Sequence, residues 1–439
     1  MTGLASAAAE IPPAGSGVAA GIAPIAAVEF AALMAPLGPF GPTPRLAAGV
    51  SGGADSLALA LLADAWARAQ GGSLMALVVD HGLRAESAVE AVQTIERLTS
   101  RGIPARLLTL PGLHRGPALA ERARTARYDT LGAACAEAGI LHLLLGHHAA
   151  DQAETVLMRR RSHSGPAGLA AMPAISERHG QRLVRPLLGI PPVRLRATLR
   201  AAGLAWVEDP SNADLRALRP RLRASLADPD GTGPEIAALC DDARRAGFAR
   251  AAQETETADI LAERASIHPE GYALLSPGPS LPPAVLSALL QAVSGAVFPP
   301  PSQAVAALAA AVRPATLGGV RLMFAPRLGA GLLLVREQAA IGPPVPARRG
   351  AVWDERFRLA GDAIPSDRTT IGALGADAAR LRRHSPLPAA VIRTLPALRR
   401  GNSLVAVPLL EYPSAELCAG VRTIFAPRRP AAGAPFVPG

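Results

Sequence analysis

Apolar runs of five to seven residues alternate with longer amphipathic stretches along residues 45–161. Short apolar runs are typical of buried strands, and the longer stretches with a period near 3.6 residues predict helices. An alternation of this kind predicts an α/β fold whose parallel sheet carries helices on both faces. The predicted strands are Leu46–Val50, Leu74–Asp80, Ala105–Leu110 and Leu141–Gly146, and the predicted helices are Ser56–Ala69, Ser87–Ser100, Leu119–Ala138 and Asp151–Arg161.

Polar residues follow three of these strands at the point where each strand ends. They form the clusters Ser51–Ser56, Asp80–Arg84 and His147–Glu154. Ligands of open parallel sheets bind beyond the carboxyl ends of the strands. We therefore expect the three clusters to line one site.

The chain downstream has a different pattern. Asp228–Gly233 is a turn-rich boundary, and Pro234–Ser266 predicts one long amphipathic helix before shorter strands and helices. We expect a flexible Ala/Gly/Pro-rich tail (1–25), a catalytic α/β domain (26–226), a small α+β middle domain (234–338) and a C-terminal α+β domain (350–439).

Composition narrows the class of protein. Apolar residues make up 49% of the chain and charged residues 18%, so a large core is expected and global disorder is not. Arginine supplies all 45 basic residues against 35 acidic ones, a net charge of +10. A GC-rich coding bias explains much of the arginine count, but the sign of the charge also favours a polyanionic partner, because guanidinium groups bind phosphate well.

The cysteines indicate a reducing compartment. Cys135, Cys240 and Cys418 are far apart and form no C-x-x-C pair, which argues against a disulfide framework or a zinc ribbon. The first basic residue is Arg45, so the start of the sequence lacks the cationic region of a targeting signal. We expect a cytoplasmic protein that does not span a membrane.

Ser51-Gly52-Gly53-Ala54-Asp55-Ser56, between a strand and a helix, predicts a phosphate-binding loop. Two glycines allow close backbone approach, and the N–H groups at a helix N-terminus bind anions. Asp55 would repel phosphate unless a Mg²⁺ ion lies between them. The string is not a Walker loop, and the alternative is an ordinary turn in which Ser and Asp cap the helix.

Two further clusters leave alternatives open. His147-His148-x-x-Asp151-Gln152-x-Glu154 fits a polar nest that orients ATP, Mg²⁺ and substrate, a zinc site, or a capped helix start. His81, at another strand end, is either structural or part of the site. Arg219, Arg221 and Arg223 flank Pro220 at a spacing that suits an extended backbone along phosphates, or they form a solvated face.

Taken in order, these motifs resemble the N-type PP-loop ATP pyrophosphatases, and within them the tRNA(Ile)-lysidine synthetase family. The resemblance is in strict order over residues 45–223 and looser beyond. It rests on Ser51–Ser56, Val78–Arg84, Ala123–Tyr128, Gly146–Thr155, Ser164–Leu169, Arg185–Leu188 and Trp206–Asn212, and more loosely on Leu317–Gly319, Arg336–Glu337, Trp353–Phe357 and Thr394–Pro396.

The resemblance implies an AMP-forming ligase. The 2-carbonyl oxygen of the wobble cytidine in a CAU-anticodon isoleucine tRNA attacks the α-phosphate of ATP, and the ε-amine of lysine then displaces AMP, changing codon reading from AUG to AUA. ATP, Mg²⁺, L-lysine and the tRNA are the implied cofactors and partners. The middle and C-terminal domains are implied to contact the tRNA, and a homodimer is one alternative for the oligomeric state.

The same resemblance assigns roles to individual residues. Asp55, His148 and Asp151 are implied to be catalytic, and Asp55 to hold Mg²⁺. ATP is implied on Ser51, Gly52, Gly53, Ala54, Asp55, Ser56 and His81. Substrate or tRNA contacts are implied for Arg127, Glu154, Arg185, Asp209, Asn212, Arg219, Arg221 and Arg223.

Three places depart from the family pattern, and one of them is Arg161-Ser162-His163, which replaces a more usual Arg-Gly pair. Ala150 stands where members often carry a first carboxylate in the His-His string, and Pro220 stands where they often carry asparagine. Three other functions are alternatives: a thiolating PP-loop enzyme, an amide-forming synthetase, and an arginine-rich RNA-binding protein without activity. The cysteine spacing disfavours the first, because sulfur transfer needs placed thiols.

Overall fold

The chain divides into two compact units in a computed structural model. Unit 1 comprises Met1–Ala251 and Phe436–Gly439, and unit 2 comprises Ala252–Pro435. The structure describes residues 10–11, 21–80, 82, 87–110, 116, 119–178, 180–208, 216, 218–278, 280–361 and 368–439.

Unit 1 contains a six-stranded sheet of order β4-β3-β2-β5-β7-β6, in which β2, β3, β4, β5 and β7 are parallel and β6 is an antiparallel edge strand. The predicted α/β class and the four predicted strands are confirmed. The β6–β7 hairpin was not predicted, because its arginines and glutamate interrupt the apolar pattern. The strands of unit 1 are β1 (Glu10–Ile11), β2 (Arg45–Val50), β3 (Ser73–Asp80), β4 (Ala105–Thr109), β5 (His142–Leu145), β6 (Ile175–Arg178), β7 (Gln181–Val184) and β8 (Trp206–Val207).

Helices cover both faces of this sheet. Alternate side chains of β2 enter different cores: Leu46 and Val50 pack with the helices Ala54–Arg68 and Pro192–Ala201, whereas Ala47 packs with the helix Leu119–Glu137. A sheet buried on both faces explains why its strands are nearly continuous apolar runs. The helices are α1 (Ala27–Met34), α2 (Ala54–Arg68), α3 (Ser87–Thr99), α4 (Leu119–Glu137), α5 (Ala149–Arg161), α6 (Pro166–Leu169), α7 (Pro192–Ala201), α8 (Leu218–Leu226) and α9 (Pro234–Arg264), which crosses into unit 2.

Unit 2 is built on antiparallel sheets. A five-stranded sheet has the order β11-β12-β13-β10-β9, and two smaller sheets have the orders β14-β17-β18-β19 and β15-β16-β20. The strands are β9 (Ala265–Ile267), β10 (Ala273–Leu275), β11 (Ala315–Leu317), β12 (Val320–Phe324), β13 (Leu332–Arg336), β14 (Val345–Pro346), β15 (Val352–Trp353), β16 (Phe357–Ala360), β17 (Thr369–Ala373), β18 (Pro396–Arg400), β19 (Ser403–Ala406) and β20 (Arg422–Phe425). The helices are α10 (Pro283–Ser294), α11 (Ser302–Ala310), α12 (Ala378–Leu381), α13 (Ala389–Ile392) and α14 (Ala415–Cys418).

The two stretches predicted as middle and C-terminal domains share a core within unit 2. Leu333 and Val335 of β13 pack in one apolar cluster with Leu374, Val391 and Leu395. The four-part division of the chain stays a prediction. Within the described residues, no helix combines the length and hydropathy needed to cross a bilayer.

Candidate functional site: a phosphate loop beside a charged cluster

The loop between β2 and α2 has its own hydrogen bonds. The Ser56 hydroxyl donates to the Gly53 carbonyl at 3.1 Å and accepts from the Ser51 N–H at 3.1 Å. These bonds hold the loop across the N-terminus of α2, which begins at Ala54. The N–H groups of a helix N-terminus favour an anion, so the arrangement suits phosphate.

Two glycines permit close contacts around this loop. Gly52 has a φ of +83°, and a Cβ there would lie 2.5 Å from Oγ1 of Thr94. Its carbonyl accepts a hydrogen bond from the Val207 N–H at 3.0 Å. A Cβ on Gly146 would lie 3.0 Å from the Asp55 carbonyl oxygen, so a glycine there lets the end of β5 approach the first turn of α2.

This close approach brings residues from two strand ends together. Nε2 of the buried His148 lies 3.4 Å from Oδ2 of Asp55 and 3.6 Å from Oδ2 of Asp151. The backbone N–H of His148 donates to the same Asp151 oxygen at 3.1 Å. The structure therefore places the three residues that the resemblance marks as catalytic in one cluster beside the phosphate loop.

His148 and Asp151 each stabilise the charged form of the other. Burial lowers the pKa of His148, but Asp151 and Asp55 more than offset it, so the pKa lies above its usual value. Burial raises the pKa of Asp151, but the charge and the backbone N–H of His148, together with the charge of Arg219, more than offset that rise, so the pKa lies below its usual value. Burial holds the pKa of His147 well below its usual range, which leaves that ring neutral.

Helix α8 adds arginines to the carboxylates of α5. Nε of Arg223 donates to Oε1 of Glu154 at 2.8 Å, and Nη2 of the same arginine lies 2.8 Å from that oxygen. Nη1 of Arg219 lies 3.8 Å from Oδ1 of Asp151. The extended backbone that the spacing suggested for 219–223 is wrong, because Leu218–Leu226 is a helix and Pro220 is tolerated in its first turn. Arg221 is exposed.

A group of basic residues surrounds Tyr128 on α4. The guanidinium carbons of Arg124, Arg127 and Arg178 lie 5.1, 5.7 and 5.2 Å from the Tyr128 ring centroid. The nearby Arg185 is buried and donates to the Pro173 carbonyl oxygen at 3.0 Å. Burial lowers the pKa of Arg127 and of Arg185.

The remaining predicted site residues fall outside the part of the chain that the structure describes. His81, Asp209 and Asn212 lie outside the described residues. Oδ1 of Asp80, at the end of β3, accepts from the Gly82 N–H at 2.9 Å and from the hydroxyl of Ser87, the first residue of α3, at 2.6 Å.

Ala150 and Thr94 show what local sequence reasoning missed. Ala150 is buried in an apolar cluster with Ile236 and Leu239 of α9, so its methyl group takes part in helix packing. Thr94 of α3 lies against Gly52 although it is 42 residues further along the chain, and no local pattern marks it. His147 and Tyr128 were not predicted as site residues, although both stand inside motifs that carry the resemblance, and that was the signal that could have found them.

Magnesium fits at Asp55 on chemical grounds. Within the described ranges, no group of three or more His, Cys, Asp or Glu side chains is arranged to hold a metal ion. Mg²⁺ in phosphate sites typically takes one or two carboxylates and fills its remaining positions with phosphate oxygens and water. The Asp55 side chain, 37% exposed at the N-terminus of α2, offers such a carboxylate.

Comparisons with known proteins agree with this geometry. Residues 24–229 match the family model of the PP-loop domain. A tRNA(Ile)-lysidine synthase of Ruegeria pomeroyi is 36% identical over 380 residues, covering 84% of this chain and 89% of that protein. One from Methylobacterium nodulans is 41% identical over 262 residues, covering 56% and 74%.

A tRNA(Ile)-lysidine synthase of Bradyrhizobium sp. strain BTAi1 is 45% identical over 231 residues, covering 52% of this chain. The match spans 64% of that relative, slightly less than two thirds of its length. The phosphate loop, the charged cluster and the long match to the Ruegeria protein agree on one assignment. The chain belongs to the tRNA(Ile)-lysidine synthase family.

Proposed function

We propose that this protein joins lysine to the wobble cytidine of a CAU-anticodon isoleucine tRNA, with ATP converted to AMP and pyrophosphate. The observation that carries the proposal is the position of the Asp55–His148–Asp151 cluster, which includes a residue of the phosphate loop itself. A nucleotide held by the loop would present its phosphates to these side chains. The relatives' name supplies the identity of the tRNA and of the amine.

The first step is adenylation of the base. The 2-carbonyl oxygen of cytidine attacks the α-phosphorus of ATP, a P–O bond forms, and the bond to pyrophosphate breaks. N–H groups of the loop and the arginines around Tyr128 would offset the charge that develops on phosphate. Mg²⁺ held by Asp55 would supply additional charge neutralisation on the phosphate oxygens.

The second step replaces AMP by an amine. The lysine ε-ammonium loses a proton to solvent or to a phosphate oxygen and attacks C2, and the C2–O bond to AMP breaks. AMP is a better leaving group than a carbonyl oxygen, which explains why adenylation comes first. Asp151 and Glu154, one helical turn apart on α5, are the anionic side chains beside the loop that suit an ammonium group.

The basic composition supports RNA as the macromolecular substrate. The net charge of +10 favours a polyanion, and we propose that unit 2 contributes contacts to the tRNA backbone. The target base must leave its stack to reach the loop. We propose a cytoplasmic location, in line with that substrate.

Incorporation of labelled lysine into an unmodified isoleucine tRNA transcript tests the proposal. With ATP and Mg²⁺, we expect label only in the transcript with a wobble cytidine, together with AMP, and none when that base is uridine. AMP formed on another acceptor would keep the adenylation chemistry and reject the proposed substrate.

Asp55→Asn tests the role of the phosphate loop. We expect AMP formation to fall at least about 100-fold, because loss of one charged group at a phosphoryl-transfer site has effects of that order. Binding of the tRNA to the variant, measured by filter retention, should change little. Full activity in this variant would reject the role assigned to Asp55.

A further inference from the structure

Glu154 is a carboxylate that solvent does not reach. Its side chain is 0% exposed, and Nε and Nη2 of Arg223 both lie 2.8 Å from one of its oxygens, Oε1. The other oxygen, Oε2, is buried and has no hydrogen-bond partner among the described residues. Burial raises the pKa of Glu154, and the charge of Arg223 offsets only part of that rise.

Asp151, the neighbouring carboxylate on α5, is also paired with an arginine, at a longer distance. Arg219 lies one helical turn before Arg223 on α8, and its Nη1 is 3.8 Å from Asp151. Two arginines of α8, four residues apart, therefore face two carboxylates of α5, three residues apart. In this state the anionic site that would receive the lysine ammonium already holds cations from the same chain.

We propose that Arg223 controls access of the amine by exchanging partners: it leaves Glu154 for a phosphate group of the bound tRNA, and the lysine ammonium takes its place. The proposal rests on the proposed function and deepens it. Arg223 is a positioning residue in this scheme, since it touches the carboxylate that binds the amine and does not touch the reacting carbon.

The exchange follows from the cost of a buried charge. A carboxylate removed from water is strongly disfavoured without a cation or a proton beside it, so Glu154 can release Arg223 only as another cation arrives. A freed guanidinium is in turn attracted to phosphate, to which it binds well. Each substrate thus favours the other, and lysine binds well only when the tRNA is present.

Arg223→Gln separates this scheme from a structural role. The variant keeps hydrogen-bond donors but removes the competing cation. We expect the KM for lysine to fall about fivefold and the KM for tRNA to rise by a similar factor, in the range that a partly exposed charge pair contributes. A structural role would not lower the KM for either substrate. Arg223→Lys restores a cation, so its KM for lysine should return towards the wild-type value.

Arg196→Gln is the matched control. Arg196, on α7, forms an ion pair with Asp230 at 2.7 Å, and its side chain is 23% exposed. It is therefore a partly exposed, paired arginine like Arg223, but in a different ion pair. Its removal should leave both KM values near wild type. An unchanged or higher KM for lysine in Arg223→Gln overturns the proposal.

Binding to the wild-type protein provides a second measurement that does not depend on a variant folding. Labelled lysine is equilibrated with the protein and a non-hydrolysable ATP analogue, with and without tRNA. Tighter binding with tRNA supports the exchange, and equal binding rejects it. Failure of the proposed function would give a different result from failure of the exchange, because the wild-type protein would then release no AMP when it is supplied with ATP, lysine and the tRNA.

Discussion

Gly52 fixes how closely the phosphate loop packs on the neighbouring helix. Its φ is +83°, and a Cβ at this position would lie only 2.5 Å from Oγ1 of Thr94, so there is no room for a side chain. Gly53, next to it, has a φ of −72°, and a Cβ there would meet its nearest neighbour at 3.6 Å. Two adjacent glycines in one motif therefore have different structural requirements.

Gly52→Ala should lower the free energy of unfolding by about 2 kcal/mol, the sum of a left-handed backbone penalty and a steric clash with Thr94. Gly53→Ala should lower it by clearly less. Urea titration of both variants measures the difference. Equal losses would show that the space around Gly52 does not limit the residue there.

Helix α1 and the residues just before it are joined to α7 by hydrogen bonds of Arg194 and Thr198. Arg194 donates to both carboxylate oxygens of Glu29 at 2.5 and 2.8 Å, and also to the carbonyl oxygens of Ala23 and Pro24. The Ile25 N–H donates to the Thr198 hydroxyl of the same helix at 3.0 Å. The hydrogen bond from Arg194 holds the pKa of Glu29 below its usual value of 4.5. These contacts order the chain before β2.

Glu29→Gln should lower the free energy of unfolding by about 0.5 to 1 kcal/mol near neutral pH, since the pair is partly exposed. The folded-state pKa of Glu29 is depressed, so its contribution is present above 4.5 and disappears as pH falls through the lowered folded-state value. Urea titrations of wild type and variant across the acid range measure this. A difference that grows towards acid pH would contradict the assignment.

Unit 2 contains a buried charge network that connects its two main parts. Asp354 accepts from Arg336 at 3.0 Å and from Arg356 at 2.7 Å. The Arg356 side chain is 0% exposed, and its Nη1 also donates to the carbonyl oxygens of Gly271 and Val293, each at 3.3 Å. Burial lowers the pKa of Arg356 to about 10. The network joins residues that sequence reasoning placed in two separate domains.

Asp354→Ala should lower the free energy of unfolding of unit 2 by about 3 to 5 kcal/mol, because it leaves two arginines without their buried counter-ion. Hydrogen exchange of β13 and β16 amides measures the loss. Arg380→Ala, at a side chain 72% exposed, is the control and should cost under about 1 kcal/mol. Equal effects would show that burial does not strengthen the Asp354 network.

For the proposed tRNA substrate, the net charge of +10 predicts binding that weakens as the salt concentration rises. Arg221→Ala, at an exposed position on α8, should weaken binding and reduce the salt slope by about one. Arg106→Ala, whose arginine pairs with Glu137 at 2.8 Å, should leave the slope unchanged. Filter binding over a range of salt concentrations compares the two. Identical salt slopes for wild type, Arg221→Ala and Arg106→Ala would show that Arg221 is a solvated surface residue without a phosphate contact.

The sequence by itself determined the order of strands and helices over residues 45–161, the position of the phosphate loop and the family, because these depend on local periodicity and on contiguous motifs. Only the tertiary structure decided which distant residues meet. Thr94 beside Gly52, Arg223 on Glu154, and the shared core of unit 2 all join residues that no local pattern connects. Arginine shows the reason: it is so frequent here that its sequence position carries little information, and only its partner reveals whether it is solvated, structural or in the site.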